Sequence, residues 1–393
     1  MRRTIALICF VALGVVAAQP NAWSVGVVVS ATGPHADVGR LQAFAAERAA
    51  AELARAGVFG APLEIHVRDD ASDPRRAVTL AVELADAGAV AVVCCTTPAA
   101  TAQVAAALDA RSTPLLALAE TDLSGRAWSL AIVPDDRTRL TAVAVDAAGL
   151  GKLSLALMTL DTPFGDATAA ALERALADTG RTLAGEARYP ADAEVLTPEG
   201  LWIATREPGA VIVWGLPRDL PVALDGLRRR GYAGYVYARD LAVPAHAWPR
   251  LVLAGSASDP PPSEPGDAWL GLRTTAAPAT FAGQLPADHP HAAAVDAFLG
   301  RVLGGDPGAA APAERATMAR VDDALVWLVA AFEQVAALGL GDAVVTRRQA
   351  THDALVAAPL VRLAAGAYDA RDGDPRAARW QGLVIAAVGP PAR

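Results

Sequence analysis

The stretch that decides the fold is Val25-Gly26-Val27-Val28-Val29-Ser30-Ala31-Thr32-Gly33-Pro34. Its run of valines, with no polar residue at alternate positions, suits a strand buried on both faces, as in a parallel sheet. The pattern then breaks between Ser30 and Gly39, at Gly33, Pro34 and Gly39. From Arg40 to Arg55, Leu41, Phe44, Ala45, Arg48 and Glu52 recur at helical spacing and give one apolar and one charged face, until Gly57 and Gly60 end the helix.

The strand, loop and helix repeat outward from there. Leu63 to Val67 reads as a strand, Pro74 to Ala87 as a helix, Ala89 to Val93 as a strand, Ala99 to Ala110 as a helix and Leu115 to Ala119 as a strand. A second series follows Pro134: helix Thr138 to Gly149, strand Leu153 to Thr159, helix Asp166 to Thr179, strands Leu183 to Tyr189 and Ala210 to Trp214, helix Leu220 to Arg230, and strand Gly234 to Ala238. Such alternation implies right-handed crossovers and parallel sheets covered on both faces, so two series predict an α/β fold of two doubly wound parallel-sheet lobes. Pro260 to Gly266 reads as a surface loop and Trp269 to Leu272 as a strand. His291 to Leu303, Glu314 to Leu338 and Arg347 to Ala357 read as helices, Ala367 to Gly373 as a turn and Trp380 to Val388 as a last strand.

A chain of 393 residues has room for two or three domains, and 53% hydrophobic against 19% charged residues excludes a disordered protein. Arg2 and Arg3 precede an apolar run from Ile5 to Ala18 that is too short to span a bilayer comfortably. With small residues after it, residues 1–22 are expected to be a signal peptide, cleaved after Ala18 or Ala22. Cys9 lies inside the run rather than just after it, where a lipid anchor would need it. Loss of the two arginines takes the formal charge from -8 to -10, which disfavours nucleic acid and anionic membranes as partners. A soluble periplasmic protein is expected. Only Cys94 and Cys95 remain, too few for a disulfide scaffold; they read as two small buried residues at a strand end, the alternative being the strained ring of a bond between neighbours.

The opening V-G-V-V-V-S-A-T-G-P with G-R-L-Q-A-F-A-A, then G-A-P-L-E-I-H-V-R-D-D-A-S-D-P, resembles the start of the periplasmic branched-chain amino-acid binding proteins of ABC transporters. G-A-V-A-V-V, T-P-L-L-A-L-A-E-T-D-L, D-T-P-F-G-D-A-T-A-A-A-L and A-Y-D-A-R-D-G continue the resemblance in order across nearly the whole chain. It implies the type I periplasmic-binding fold, two lobes joined by a three-segment hinge that close on a ligand. The crossings would fall at Val133 to Asp136, at Leu272 to Thr275 and before Trp380. One lobe would then comprise 23–135 plus 273–358, the other 136–272 plus 359–393.

Ligands of open parallel sheets sit beyond the carboxyl ends of strands, near helix N-termini. That places candidates in the loops Ser30 to Val38, Cys94 to Pro98, Ala119 to Asp122, Asp161 to Gly165, Gly215 to Arg218 and Ala238 to Asp240. The resemblance implies that Thr96 or Thr97, Ala119 and Thr121 hold an α-carboxylate. Thr97 also suits a helix N-cap before Pro98, and Thr121 a hydroxyl bonded to its own loop. Asp240 falls where the family holds an α-ammonium, since a carboxylate offers only acceptors. Its neighbour Arg239 leaves open a salt bridge with no binding role; facing the cleft, Arg239 would instead favour a carboxylate or dicarboxylate. Phe164 takes the place of the family's aromatic wall. Val38 and Leu216 stand where other aromatics are lost, which argues against a standard leucine or isoleucine ligand. His35 is a further contact candidate.

Other chemistry finds little purchase. Gly149-Leu150-Gly151 lacks the third glycine of a dinucleotide loop. Asp69, Asp70 and Asp73 read as a capped, solvated turn, and His289 and His291 as a pair without further metal ligands. No catalytic residue, metal or cofactor is expected. The function expected is capture of an amino acid or related small carboxylate or amide solute by a monomer serving an ABC importer permease. A ligand-sensing receptor of the same fold is the alternative. An exported α/β hydrolase is a poorer one, because no nucleophile and base can be paired.

Overall fold

The computed structural model describes residues 22–152, 154–240, 243, 247, 250–254, 267–371 and 377–388. The expected signal segment through residue 21, the expected loop 260–266 and residues 372–373 of the expected turn lie outside them. The first series is β1 (Trp23–Val29), α1 (Ala36–Ala56), β2 (Leu63–Asp69), α2 (Pro74–Asp86), β3 (Ala91–Cys94), α3 (Pro98–Asp109), β4 (Leu115–Ala117) and β5 (Ser129–Ala131). The second is α4 (Asp136–Gly149), β6 (Ser154–Leu160), α5 (Pro163–Thr179), β7 (Thr182–Tyr189), α6 (Thr197–Ala204), β8 (Ala210–Trp214), α7 (Asp219–Arg229), β9 (Tyr235–Ala238), β10 (Leu251–Leu253) and β11 (Leu272–Ala276). There follow α8 (Ala292–Leu303), α9 (Pro312–Ala337), α10 (Val344–Ala357), the short strands β12 (Val361–Arg362), β13 (Ala367–Tyr368) and β14 (Ala378–Arg379), and β15 (Val384–Val388).

The valine run behaves as a doubly covered strand. Val25, Val27 and Val29 pack with Ala45 and Ala49 of α1 and Leu325 and Leu328 of α9, whereas Val28 faces the opposite way onto Ala77 and Ala81 of α2 and Val104 of α3. The first sheet runs β2-β1-β3-β4-β5, every pairing parallel. The second runs β10-β15-β11-β9-β8-β6-β7 and is parallel except where β15 meets β10 and β11. It too is covered on both faces: Leu155 and Leu157 of β6 meet Leu140 and Val143 of α4 and Leu172 of α5, while Met158 meets Leu220, Leu224 and Leu227 of α7. The α/β fold of two doubly wound lobes is thereby established.

Among the described residues the chain passes between the sheets three times, and the second passage and the lobe bounds after residue 358 differ from expectation. The first lies between Ala131 and Asp136. The second comes after Ala276 rather than at Leu272 to Thr275, because that segment is β11, buried and paired with both β9 and β15. The expected strand at Trp269 to Leu272 is shifted onto it. The segment 359–379, expected in the second lobe, instead forms the small antiparallel sheet β12-β13-β14 and packs into the first lobe's core through Ala364, Tyr368 and Ala378. Only β15 returns to the second sheet, and Trp380–Gly382, expected as the start of that strand, is a 3-10 turn. The expected turn at Ala367 likewise opens with β13. Cys94 and Cys95, read as two small buried residues at a strand end, are fully buried at the end of β3 and are bonded to each other.

Candidate ligand cleft

Each lobe brings a helix unusually close to the end of a strand. A Cβ on Gly39 of α1 would lie 1.9 Å from the Ser30 carbonyl oxygen, and one on Gly165 of α5 would lie 1.9 Å from the Leu160 carbonyl oxygen. Glycine at each place lets the first turn of the helix seat against the strand end. In the first lobe this sets Val38 and Gln42 beside Thr96, whose hydroxyl accepts from the Ser30 N–H at 2.8 Å and donates to Gln42 Oε1 at 2.6 Å. Gln42 is buried, and its amide nitrogen makes no hydrogen bond among the described residues.

In the second lobe Asp135 caps α4, accepting from the Thr138 N–H at 2.7 Å. One turn on, Arg139 points inward from the same buried face as Leu140 and Val143 and is 1% exposed. A guanidinium so buried needs partners, since removing a charge from water costs several kcal/mol. Arg139 Nη1 donates to Glu120 Oε2 at 3.0 Å and to the Pro134 carbonyl, and its Nε donates to Asp240 Oδ1 at 3.1 Å. Arg239 adds a second cation to Glu120, at 3.3 Å, and its Nε lies 2.8 Å from Asp136 Oδ1. From α9 in the first lobe, Arg320 reaches Asp240 at 3.9 Å.

Burial holds the Glu120 carboxyl above its usual range despite the pull of Arg139 and Arg239. For Arg139 burial opposes the charge, yet Asp240, Glu120 and Asp136 together raise its proton affinity. For Arg320 burial prevails and its proton affinity falls. Between these groups lies a cavity of about 470 Å³. Its wall takes Val38, Gln42, Thr96, Ala119, Thr317 and Arg320 from the first lobe and Arg139 and Arg239 from the second, with Glu120 between them. A concave site of this size, with a few polar groups aimed inward, is what a small-molecule ligand requires.

Residues 22–379 match the family model described as periplasmic binding protein. The chain belongs to the periplasmic binding protein family. Its fold is shared by a putative branched-chain amino acid ABC transporter protein from Rhodospirillum rubrum, at 21% identity, TM-score 0.73, covering 94% of this chain and 98% of that one. An extracellular ligand-binding receptor from Rhodopseudomonas palustris HaA2 superposes with TM-score 0.66 at 19% identity, over 94% and 98% of the two chains. The branched-chain amino acid transporter substrate binding protein LivJ from Streptococcus pneumoniae, in complex with isoleucine, has TM-score 0.58 at 14% identity, over 94% and 100%. No curated protein matches the chain.

Within this binding-protein frame the candidates read from the sequence separate into two groups. Thr96, Ala119, Val38 and Arg239 line the cavity. Asp240 lies behind its wall, and its carboxylate is engaged by Arg139 and Arg320 rather than by its neighbour Arg239, whose partners are Glu120 and Asp136. Thr97 caps α3, accepting from the Ala100 N–H at 3.3 Å, and Thr121 donates to the Pro98 carbonyl at 3.3 Å. The Phe164 ring stands 5.7 Å from the Arg239 guanidinium, packing on it rather than lining the cavity. His35 and Leu216 are exposed and away from the cavity wall.

Gln42, Arg139, Thr317 and Arg320 escaped the sequence reading, and Glu120, inside the candidate loop Ala119 to Asp122, was not singled out. For the two helical arginines a signal existed: each interrupts an apolar stripe, Arg139 four residues before Val143, Arg320 four residues from both Ala316 and Ala324. A charge on a helix's buried face is a functional candidate by position alone. Asp73 caps α2 through the Arg75 N–H, as its place before Pro74 implies. Among the described residues no group of three or more His, Cys, Asp or Glu is placed to hold a metal ion, and no helix is long and apolar enough to cross a membrane.

Proposed function

We propose that this periplasmic binding protein captures a small carboxylate-bearing solute between its lobes and delivers it, closed, to the permease of an ABC importer. The observation that carries the reading is the cavity of about 470 Å³ whose wall is drawn from both lobes. Only a closed state can contact a solute from both sides, so binding there shifts the population toward closure. Arg139 and Arg239 on that wall are paired with Glu120, Asp136 and Asp240, whereas Arg320, held only at 3.9 Å by Asp240, supports an anionic solute. The likeness of fold to the branched-chain amino acid ABC transporter protein from Rhodospirillum rubrum supports the importer link. Arg2, Arg3 and the apolar run behind them support export to the periplasm.

The test is a thermal-shift screen of amino acids, carboxylates and amides. One class is expected to raise the melting temperature, a ligand at a hundredfold its Kd adding about 2.7 kcal/mol to stability. No shift with any solute, together with turnover of an ester or amide, would replace capture by catalysis.

A further inference from the structure

The cleft's charged groups are not equally committed. Glu120, the one carboxylate among the described residues of the cavity wall, is already shared by Arg139 and Arg239. Asp240, just behind, takes the Arg139 Nε at 3.1 Å. Arg320 differs: its side chain is 20% exposed, it lines the cavity, and its ion pair with Asp240 is the loosest of the set at 3.9 Å. No hydrogen bond from its guanidinium to a described residue accompanies that pair. A guanidinium carries five N–H donors in a planar fork, and one largely shielded from solvent, lining the cavity and without a hydrogen bond to a described residue can offer that fork to an anion. Across the same cavity the Gln42 amide nitrogen is a second donor in want of an acceptor.

An α-amino acid would bring a carboxylate to satisfy such donors, and also an ammonium. The ammonium would enter beside three guanidinium groups, and the carboxylates that balance them, Glu120, Asp136 and Asp240, are each already paired with two of those groups. Like charges at that range repel, most strongly where water is excluded. We propose, building on the solute-capture reading, that Arg320 is the anion anchor of this cleft and that the solute is a carboxylate without an α-ammonium group. The family position at Asp240 is then internal wiring, holding Arg139 and Arg320 in place rather than meeting the ligand.

The experiment compares solutes of one skeleton in three arms, measured by thermal shift and isothermal titration on the intact protein. The amino-acid arm holds leucine, phenylalanine and glutamate. The carboxylate arm holds isocaproate, hydrocinnamate and glutarate, and the uncharged arm the corresponding amides. A carboxylate is expected to bind at least about tenfold tighter than both its amino-acid and its amide counterparts, the scale of one charge-assisted hydrogen bond. Arg320→Gln is expected to lose at least about tenfold of that affinity, and Arg320→Lys, which keeps the charge but not the fork, to recover part of it. Circular dichroism of both variants checks that they fold, and the partial rescue separates a ligand role from a structural one. Tighter binding of the amino acid, equal binding of the amide, or unchanged affinity in Arg320→Gln would overturn the anchor while leaving solute capture standing. Silence in all three arms would remove solute capture and the anchor with it.

Discussion

Replacing Arg139 with methionine keeps much of the side chain's volume and deletes one charge. That charge is 1% exposed and is shared among Glu120, Asp240 and the Pro134 carbonyl, so its loss strands two carboxylates in a poorly solvated place. Breaking a buried ion pair from one side is far costlier than deleting a surface pair, because the partner's desolvation is left uncompensated. Arg239 and Arg320 remain to serve Glu120 and Asp240, which places the expected destabilisation of Arg139→Met near the lower end of the usual range, about 3 kcal/mol by chemical denaturation. A loss below about 1 kcal/mol would mean that the cluster behaves like solvated surface pairs. Asp323, deeper in α9, is held differently. Burial pushes its carboxyl up to about 8, while the Tyr368 hydroxyl and the N–H groups of Ala364 and Ala365 bond to it. Its folded pKa lies above the unfolded value of 3.8, so the folded state binds the extra proton and stability is expected to fall as pH rises from about 4 to about 8. Asp323→Asn should flatten that slope in a pH series of denaturation curves, and an unchanged slope would assign it elsewhere.

At the scale of elements, the same device appears in both lobes: a helix glycine pressed against the carbonyl that ends the preceding strand. Gly39→Ala would force a methyl group to within 1.9 Å of the Ser30 oxygen, so α1 must back away and take Val38 and Gln42 with it. Overpacking of this kind costs about 1–3 kcal/mol. The expected outcome is a lower melting temperature together with weakened solute affinity; a folded variant with wild-type affinity would show that the seat of α1 does not position the cleft. Long elements were legible in the sequence because their periodicity was unmixed, from the valines of β1 to the apolar stripe of α9. Others were not. β5 and β10 are 3 residues each and β12, β13 and β14 are 2, too short for any period to show. β11 misleads for another reason: its Arg273-Thr274-Thr275 run looks solvated, yet Arg273 Nε reaches Asp146 Oδ2 at 2.9 Å and Thr274 Oγ1 bonds the Ala238 carbonyl at 3.0 Å. Polarity satisfied by distant partners has no signature in the local sequence. The cleft was half legible on the same grounds, since strand-end loops could be located while Arg139 and Arg320 sit on helices.

At the scale of the whole molecule, the two lobes face one another over ion pairs: Arg139 and Arg239 of one with Glu120 of the other, and Arg320 with Asp240. Groups of this kind can be rehydrated when the lobes part, which an apolar seam would resist, so the contact suits a hinge that opens and closes. The central claim is that one small anionic solute lies between the lobes and touches both. A crystal structure of the protein with the carboxylate that most raises its melting temperature tests it directly. Density for that solute between Arg320 of the first lobe and Arg239 of the second is the expected result. The same solute bound to one lobe alone, or outside the cleft, would contradict the account.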